Sequence, residues 1–383
     1  MAQLKFNDDG RFSVMLLGDP HQHGETDTQH KRDVMADTSA LINAALDKLK
    51  PDLGIYMGDN ALSNTPEMFA KAVEVLLKPF EDRGIPVALV FGNHDHDNEG
   101  SIPLAEQVKY YRQYSQCLFA EKPAESGYWD YNLTVKSSDG KRDAFNFWLM
   151  DSGNHAPAEY NSNYAFVTTE QLEWYTEKCK ALSEKNGAPV PAINLQHIPV
   201  PEETLFMKKV SPLIKFGYGI EGLNAHKGGW YLLDRKNTDV IGEIGEFPCC
   251  CDYNNGQFDC WKKNGDVIAA FFGHDHLNDQ LGTVDGIALG QCRLVGFNPY
   301  GDGMRQAVRM IYLDENEPRK FRTSMHFYRQ IVGNSCRSIP WKLKVINDKQ
   351  SMALNRWKYI ACALGGAVAV GAGASKIYKI AKK

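Results

Sequence analysis

Short apolar runs recur through the N-terminal part of the chain, and a polar cluster follows each one. Residues 12–17, 53–57 and 87–91 are of strand length, rich in Val, Leu, Ile and Phe, and each is stopped by Gly. Between them, residues 34–50 and 66–83 carry apolar positions at helical spacing. The alternation strand, helix, strand, helix, strand predicts a parallel α/β arrangement, in which the loops leaving the carboxyl ends of the strands converge on one edge. Residues 192–196 and 267–272 are two further runs of the same kind. Residues 286–290 and 307–312 read as strands completing a second sheet, and the main folded domain is expected to end near Tyr328. The stretch 208–266 is rich in Gly, aromatic residues and turn signals. It is expected to form loops and short strands at the rim of a site, where it would shape substrate choice.

The polar clusters carry the chemistry. In order they are Asp19-Pro20-His21, Gly58-Asp59, Gly92-Asn93-His94-Asp95, His197 and Gly273-His274-Asp275-His276. Carboxylate, imidazole and amide oxygen suit divalent first-row ions and iron, and none of these clusters contains a Cys. Taken singly, Asp-x-His is common and Gly-Asp after a strand is usually a turn. Gly-Asn-His-Asp and Gly-His-Asp-His are more specific, and the whole set in order after strands is more specific still. His197 is the least marked member, since a lone His after an apolar run is more often a satisfied buried side chain. Its assignment rests on order and on the Ile198-Pro199-Val200-Pro201 that follows. His23 and His96 lie one step beyond motif residues and are either phosphate contacts or solvated loop positions, whereas His30, His155, His226 and His326 have no partner pattern.

This ordered set resembles the motifs of the calcineurin-like metallophosphoesterases, and every motif position is filled. The extended strings at 196–202 and 273–279 are similar to the purple-acid-phosphatase-like subgroup, and the likeness spans roughly residues 10–330. The resemblance implies a four-layer α/β/β/α sandwich of two mixed β-sheets flanked by helices, with residues 1–330 as the catalytic domain. It implies that Asp19, His21, Asp59 and His276 hold one metal, and that Asp59, Asn93, His197 and His274 hold the other. Asp59 would bridge the pair, screening two cations held about 3.5–4 Å apart. Mn, Fe, Zn and Mg all accept such donors. The activity implied is hydrolysis of a phosphomonoester, in a small molecule or a phosphoprotein, by a hydroxide shared between the metals. His94 would be the general acid, with Asp95 orienting its ring. True purple phosphatases owe their colour to a tyrosinate ligand, and no Tyr stands at a ligand position here. A phosphodiesterase using the same site is the nearest alternative. A catalytically silent metal-bound scaffold is a second, against which the presence of His94 beside a full ligand set argues.

Composition adds bounds. The chain has 383 residues, 43% of them hydrophobic, and a net charge of −4. Charges are interspersed, with no basic run beyond pairs such as Lys208-Lys209, so no nucleic-acid surface is expected. The nine Cys include Cys249, Cys250 and Cys251, with Cys260 downstream. The odd count and the lack of a secretory signal at the first residues point to a reducing, cytoplasmic setting. Free thiols are expected, with a structural zinc as the alternative, although the spacing fits no Cys-x-x-Cys finger. Residues 331–356 read as a linker and 357–383 as a Gly/Ala-rich apolar tail with basic flanks at Arg356, Lys358, Lys376 and Lys379. Residues 359–375 carry no charge and are just long enough to cross a bilayer, so membrane contact is expected there, with a helix docked on protein or a disordered tail as alternatives.

Overall fold

A computed structural model describes residues 3–97, 102–211 and 219–338, together with residue 365. The first elements are β1 (Arg11–Leu17), α1 (Gln29–Leu49), β2 (Leu53–Met57), α2 (Pro66–Glu81) and β3 (Val87–Val90). Next come α3 (Asn93–Asp97), α4 (Leu104–Tyr111), β4 (Tyr131–Lys136), β5 (Asp143–Met150), α5 (Thr169–Asn186) and β6 (Ala192–Gln196). They are followed by β7 (Met207–Val210), β8 (Ile220–Glu221), β9 (Trp230–Leu233), α6 (Gln257–Asn264), β10 (Val267–Phe272) and β11 (Leu281–Val284). The last are β12 (Ile287–Gln291), β13 (Ala307–Asp314), β14 (Phe321–Phe327) and α7 (Tyr328–Ile331).

Local chemistry sets the boundaries of the long helices. The Thr28 and Thr65 hydroxyls accept the N–H groups of Lys31 and Met68 at the starts of α1 and α2, and Pro66 opens the first turn of α2. Thr168 and Gln171 form a reciprocal capping box on α5, which ends at Gly187 in the left-handed region.

The strands form two large mixed sheets, β14-β13-β1-β2-β3 and β11-β12-β10-β6-β5-β4, and a small third sheet, β7-β9-β8. In the first, β1, β2 and β3 are parallel and β13 and β14 continue the sheet antiparallel. In the second, β12, β10, β6 and β5 are parallel and β11 and β4 are antiparallel edges. Strand β5 shows how the layers arise. Phe145, Phe147 and Leu149 share a cluster with Val14, Leu16 and Ile55 of the other sheet. Trp148 and Met150 instead join Tyr175 of α5 and Trp261 of α6. Helices α1 and α2 cover the outer face of the first sheet through residues such as Leu41, Leu46, Phe69 and Phe80. The result is the expected order of helices, sheet, sheet, helices, with strands buried on both faces and so nearly continuously apolar.

Three expectations need correction. The run at 307–312 becomes β13 and pairs antiparallel with β1, Met15 opposite Met310, so it extends the first sheet and not the second. A strand's apolar pattern says that it is buried but not which open edge it fills. The stretch 208–266 does contain the short third sheet, yet it ends in α6, whose Phe258 and Trp261 are buried against the second sheet. Elements α4, β4, β5 and α5 went unanticipated. The linker's first residues are anchored, since Asp37 of α1 accepts the N–H groups of Arg337 (3.0 Å) and Ser338 (2.7 Å). The expectations for residues 339–383 fall outside the described residues apart from Gly365. Among the described residues no helix is long and apolar enough to cross a membrane.

Phe147 is fully buried between the two sheets. Phe147→Ala should lower the unfolding free energy by about 3–5 kcal/mol, read from urea denaturation. A loss below about 1 kcal/mol would mean that the sheets do not pack through this face.

Candidate metal centre

Five parallel strands from the two sheets end at one place. The turn after β1 carries Asp19 and His21, that after β2 carries Asp59, and that after β3 carries Asn93; His197 follows β6, and His274 and His276 follow β10. Asp19 (φ 46°), His21 (φ 40°), Asp59 (φ 53°) and His274 (φ 72°) all lie in the left-handed region. Asp and His enter it more readily than most residues, but each still costs on the order of 1–3 kcal/mol and persists only where the surroundings hold it. Two glycines make the convergence possible. A Cβ on Gly58 would lie 2.5 Å from His197 Nδ1, and one on Gly92 would lie 2.3 Å from Asp59 Oδ1.

The side chains meet in two overlapping groups. Ligand atoms of Asp19, His21, Asp59 and His276 all lie within 4.8 Å of one another, and so do those of Asp59, His197 and His274. Asp59 belongs to both. Its Oδ2 is 3.2 Å from His21 Nε2 and 3.3 Å from His197 Nε2. Asn93 joins the second group, with its Oδ1 3.0 Å from His197 Nε2. The sequence motifs are thus brought together in the pairing that the resemblance implies.

The donor atoms face one another in a way that suits cations. His276 Nδ1 is 3.1 Å from the Tyr300 carbonyl, and His197 Nδ1 is 2.9 Å from that of Met57. A carbonyl only accepts, so each Nδ1 carries a proton, and the neutral ring of His276 turns its Nε2 lone pair inward. His276 Nε2 then meets His21 Nε2 at 3.2 Å, and His274 Nε2 is buried with no hydrogen-bond partner. Buried ring nitrogens and carboxylate oxygens at these separations are the donor set that a cation would use.

Electrostatics point the same way. Burial holds His21 and His274 well below the usual imidazole range and His276 down to about 4, so all three rings are neutral and ligand-ready at neutral pH. His197 differs. Burial lowers its affinity for a proton, but the Asp59 and Asp19 carboxylates outweigh this and raise it to about 10. Burial likewise opposes ionisation of Asp59, yet His197 and His21 hold it well below the usual carboxylate range. Burial, with the Asp59 charge adding, keeps Asp19 well above that range. Without metal a proton on His197 balances Asp59, and a cation would take over that role.

His94 stands beside this cluster and outside its donor set. Its backbone N–H donates to Asp59 Oδ1 at 2.8 Å, and its half-exposed ring lies 5.2 Å from that of His21. Asp95 does not orient that ring, contrary to the expectation. It is fully buried and accepts the N–H groups of Asn60 (2.9 Å) and Gly92 (2.8 Å), locking the two glycine turns together. Burial, reinforced by Asp59, pushes it to about 7. In one helical turn the i and i+1 side chains diverge, while i and i+3 share a face. The partner of His94 Nδ1 is accordingly Asp97, at 2.6 Å. Of the flanking candidates, His96 Nε2 pairs with Asp151 (2.9 Å) and His23 Nδ1 with Glu25 (3.2 Å).

Residues 12–278 match the calcineurin-like phosphoesterase family. The chain belongs to that family. It is 26% identical over 338 residues to a protein of Arabidopsis thaliana called probable inactive purple acid phosphatase 14, spanning 81% of this chain and 77% of the relative. It is 27% identical over 265 residues to phosphatase DCR2 of Saccharomyces cerevisiae, spanning 62% of this chain and 44% of that one. Among solved structures, a dimetal phosphatase from Danio rerio aligns at 13% identity with a TM-score of 0.48, over 83% of this chain and 99% of that one.

Several residues around this candidate metal centre carry no motif signal. The Tyr300 ring stacks on His276 at 4.2 Å, and its hydroxyl donates to Glu246 at 2.5 Å. The Tyr164 and His274 rings meet in a T-shaped contact with centroids 4.4 Å apart. Cys249, Cys250 and Cys251 are buried with free thiols, and Cys260 is half-buried. Among the described residues, the groups placed to hold a metal contain no Cys. The Cys249 N–H donates to Asp275 (3.1 Å), which turns away from the centre and also accepts from Gln291 Nε2 (3.1 Å). Gln291 Nε2 further donates to Glu203 (2.7 Å), whose carboxyl is pushed to about 8 by burial against the opposing amides of Gln291 and Gln280.

Two outcomes follow from this geometry. Gly92→Ala should displace Asp59 and lower bound metal well below the wild-type content, measured by inductively coupled plasma mass spectrometry; full occupancy would show that the turn has slack. Glu203 holds its proton more tightly when folded, so its stabilising contribution is complete below about 4.5 and is lost as pH rises through about 8. Glu203→Gln does not titrate, so its melting temperature relative to wild type should rise between pH 5 and pH 9. A difference independent of pH would mean that Glu203 is already ionised in the fold.

Proposed function

We propose that this chain is a two-metal hydrolase of phosphomonoesters, in which His94 protonates the leaving oxygen. The observation that carries the reading is a complete O/N donor set converging on Asp59, with a half-exposed imidazole held beside it by that same carboxylate. A scaffold that only binds metal has no use for such a ring. Asp19, His21, Asp59 and His276 would hold one ion and Asp59, Asn93, His197 and His274 the other. Two cations bound there would supply Lewis acidity to the phosphoryl group and acidify water near neutral pH.

The protein's own residues do the remainder. Asp59 positions both ion sites and, through the His94 N–H, the turn that carries the acid. Tyr300 and Met57 fix the tautomers of His276 and His197 through their carbonyls. His94 offers Nε2 toward a bound ester, because Nδ1 is engaged by Asp97. The O/N donors accommodate Mn, Fe, Zn or Mg. The substrate class proposed is a phosphate monoester of a small molecule or of a phosphoprotein.

The deciding experiment compares p-nitrophenyl phosphate with bis-p-nitrophenyl phosphate, using protein stripped of metal and resupplied with manganese. Faster monoester turnover supports the reading, faster diester turnover assigns a phosphodiesterase, and metal-loaded protein inactive on both is a silent scaffold. His94→Asn should retain metal while kcat falls by about 10²–10⁴-fold; unchanged turnover removes His94 from the reaction. Asp59→Asn should instead lose metal from both sites.

A further inference from the structure

Strand β5 lies parallel to β6, so its carboxyl end opens on the same edge as the metal centre, yet it contributes none of the candidate ligands. Its following loop nevertheless reaches the His94 turn twice. Asn154 Nδ2 donates to Asp97 Oδ1 at 2.9 Å, and His96 Nε2 meets Asp151 Oδ1 at 2.9 Å. Asp151 Oδ1 also accepts the Gly153 N–H at 3.0 Å, which fixes the carboxylate from its own loop. The adjacent Ser152 hydroxyl accepts the N–H of Ile198, next to His197, at 3.0 Å. The loop therefore ties the acid's turn, carried by the first sheet, to the ligand turn of the second.

Within this brace one contact touches the imidazole itself. Asp97 Oδ2 lies 2.6 Å from His94 Nδ1, while its other oxygen is held by Asn154. A carboxylate accepts, so the ring's Nδ1 carries a hydrogen; in the imidazolium that serves as the acid, the Nε2–H is the proton left to give, and the neutral ring that remains keeps Nδ1–H. A ring on a short exposed turn would otherwise sample several rotamers and both tautomers.

We propose that Asp97, held by Asn154, is the positioning residue for His94: by accepting Nδ1–H it fixes the ring's orientation so that the Nε2–H of the imidazolium faces the ester and is the proton transferred. The proposal rests on the reading of His94 as the general acid. It differs from a metal-binding role, because Asp97 lies outside both ligand groups.

The test uses Asp97→Ala, Asp97→Glu and the double variant His94→Asn/Asp97→Ala in the full-length, manganese-loaded protein. Phenyl phosphate has a poor leaving group and depends on protonation of the leaving oxygen, whereas p-nitrophenyl phosphate depends on it less. Asp97→Ala should lower kcat on phenyl phosphate by about 10–100-fold, and much less on p-nitrophenyl phosphate. KM and metal content should stay near wild type, Asp97→Glu should recover part of the loss, and the double variant should be no slower than His94→Asn alone. Wild-type kcat in Asp97→Ala, equal losses on both esters, or full additivity in the double variant would overturn the proposal. An independent readout needs no turnover: nitrogen-15 NMR of the neutral form of His94 should show the Nδ1–H tautomer in wild type and a shift toward Nε2–H in Asp97→Ala. An unchanged tautomer would overturn the positioning role. A wild-type protein inactive on both esters would overturn the hydrolase reading alone, leaving the tautomer measurement to decide for or against Asp97.

Discussion

One carboxylate organises this molecule. Asp59 is buried, lies within 3.3 Å of imidazole nitrogens on two sides and accepts a backbone N–H with its other oxygen. Taking such a charge out of water costs several kcal/mol even after relaxation, unless partners compensate it. The partners present are histidines, which compensate only by holding a proton or by sharing a cation. Its left-handed backbone and the bare glycines around it follow from that placement, since side-chain bulk at Gly58 or Gly92 would occupy the space that the carboxylate and His197 need.

Neither sheet holds the whole centre. The first supplies Asp19, His21, Asp59 and Asn93, and the second supplies His197, His274 and His276. The donor set therefore exists only when the two sheets are packed face to face through Val14, Leu16, Ile55, Phe145, Phe147 and their neighbours. Sandwich stability and metal affinity are linked by mass action: ions that bind only the packed state stabilise it, and loosening the inter-sheet core weakens the ions' hold. The Met57 carbonyl extends this dependence, because from the first sheet it orients His197 of the second, while Tyr300 orients His276 from the loop that joins β12 to β13.

The candidate ligands were legible because each sits where an apolar run stops, and a strand's carboxyl end is a place that sequence marks by period and, in most of these cases, by Gly. Asp19, His21, Asp59, His274 and His276 fall at such points, His197 follows its run without a Gly, and all six meet in the two groups, with Asn93 beside His197. Asp95 misled for a related reason. Adjacency in sequence suggested contact with His94, whereas the turn sends Asp95 inward to Asn60 and Gly92 and leaves Asp97 on the face of His94. Tyr164, Tyr300 and Asn154 reach the site from loops without periodicity, so nothing local distinguished them.

The sequence by itself determined the strand–helix alternation, the identity of the donors and their order, because these depend on side-chain type and on periodicity over a few residues. It also set where the backbone could turn sharply, through Gly58 and Gly92. Only the tertiary structure decided which strand fills which edge, as with β13 beside β1, and that 257–264 is a core helix. It also decided which carboxylate serves His94. These are choices among partners far apart in the chain, and they are set by packing and by the burial of charge, which no local pattern records.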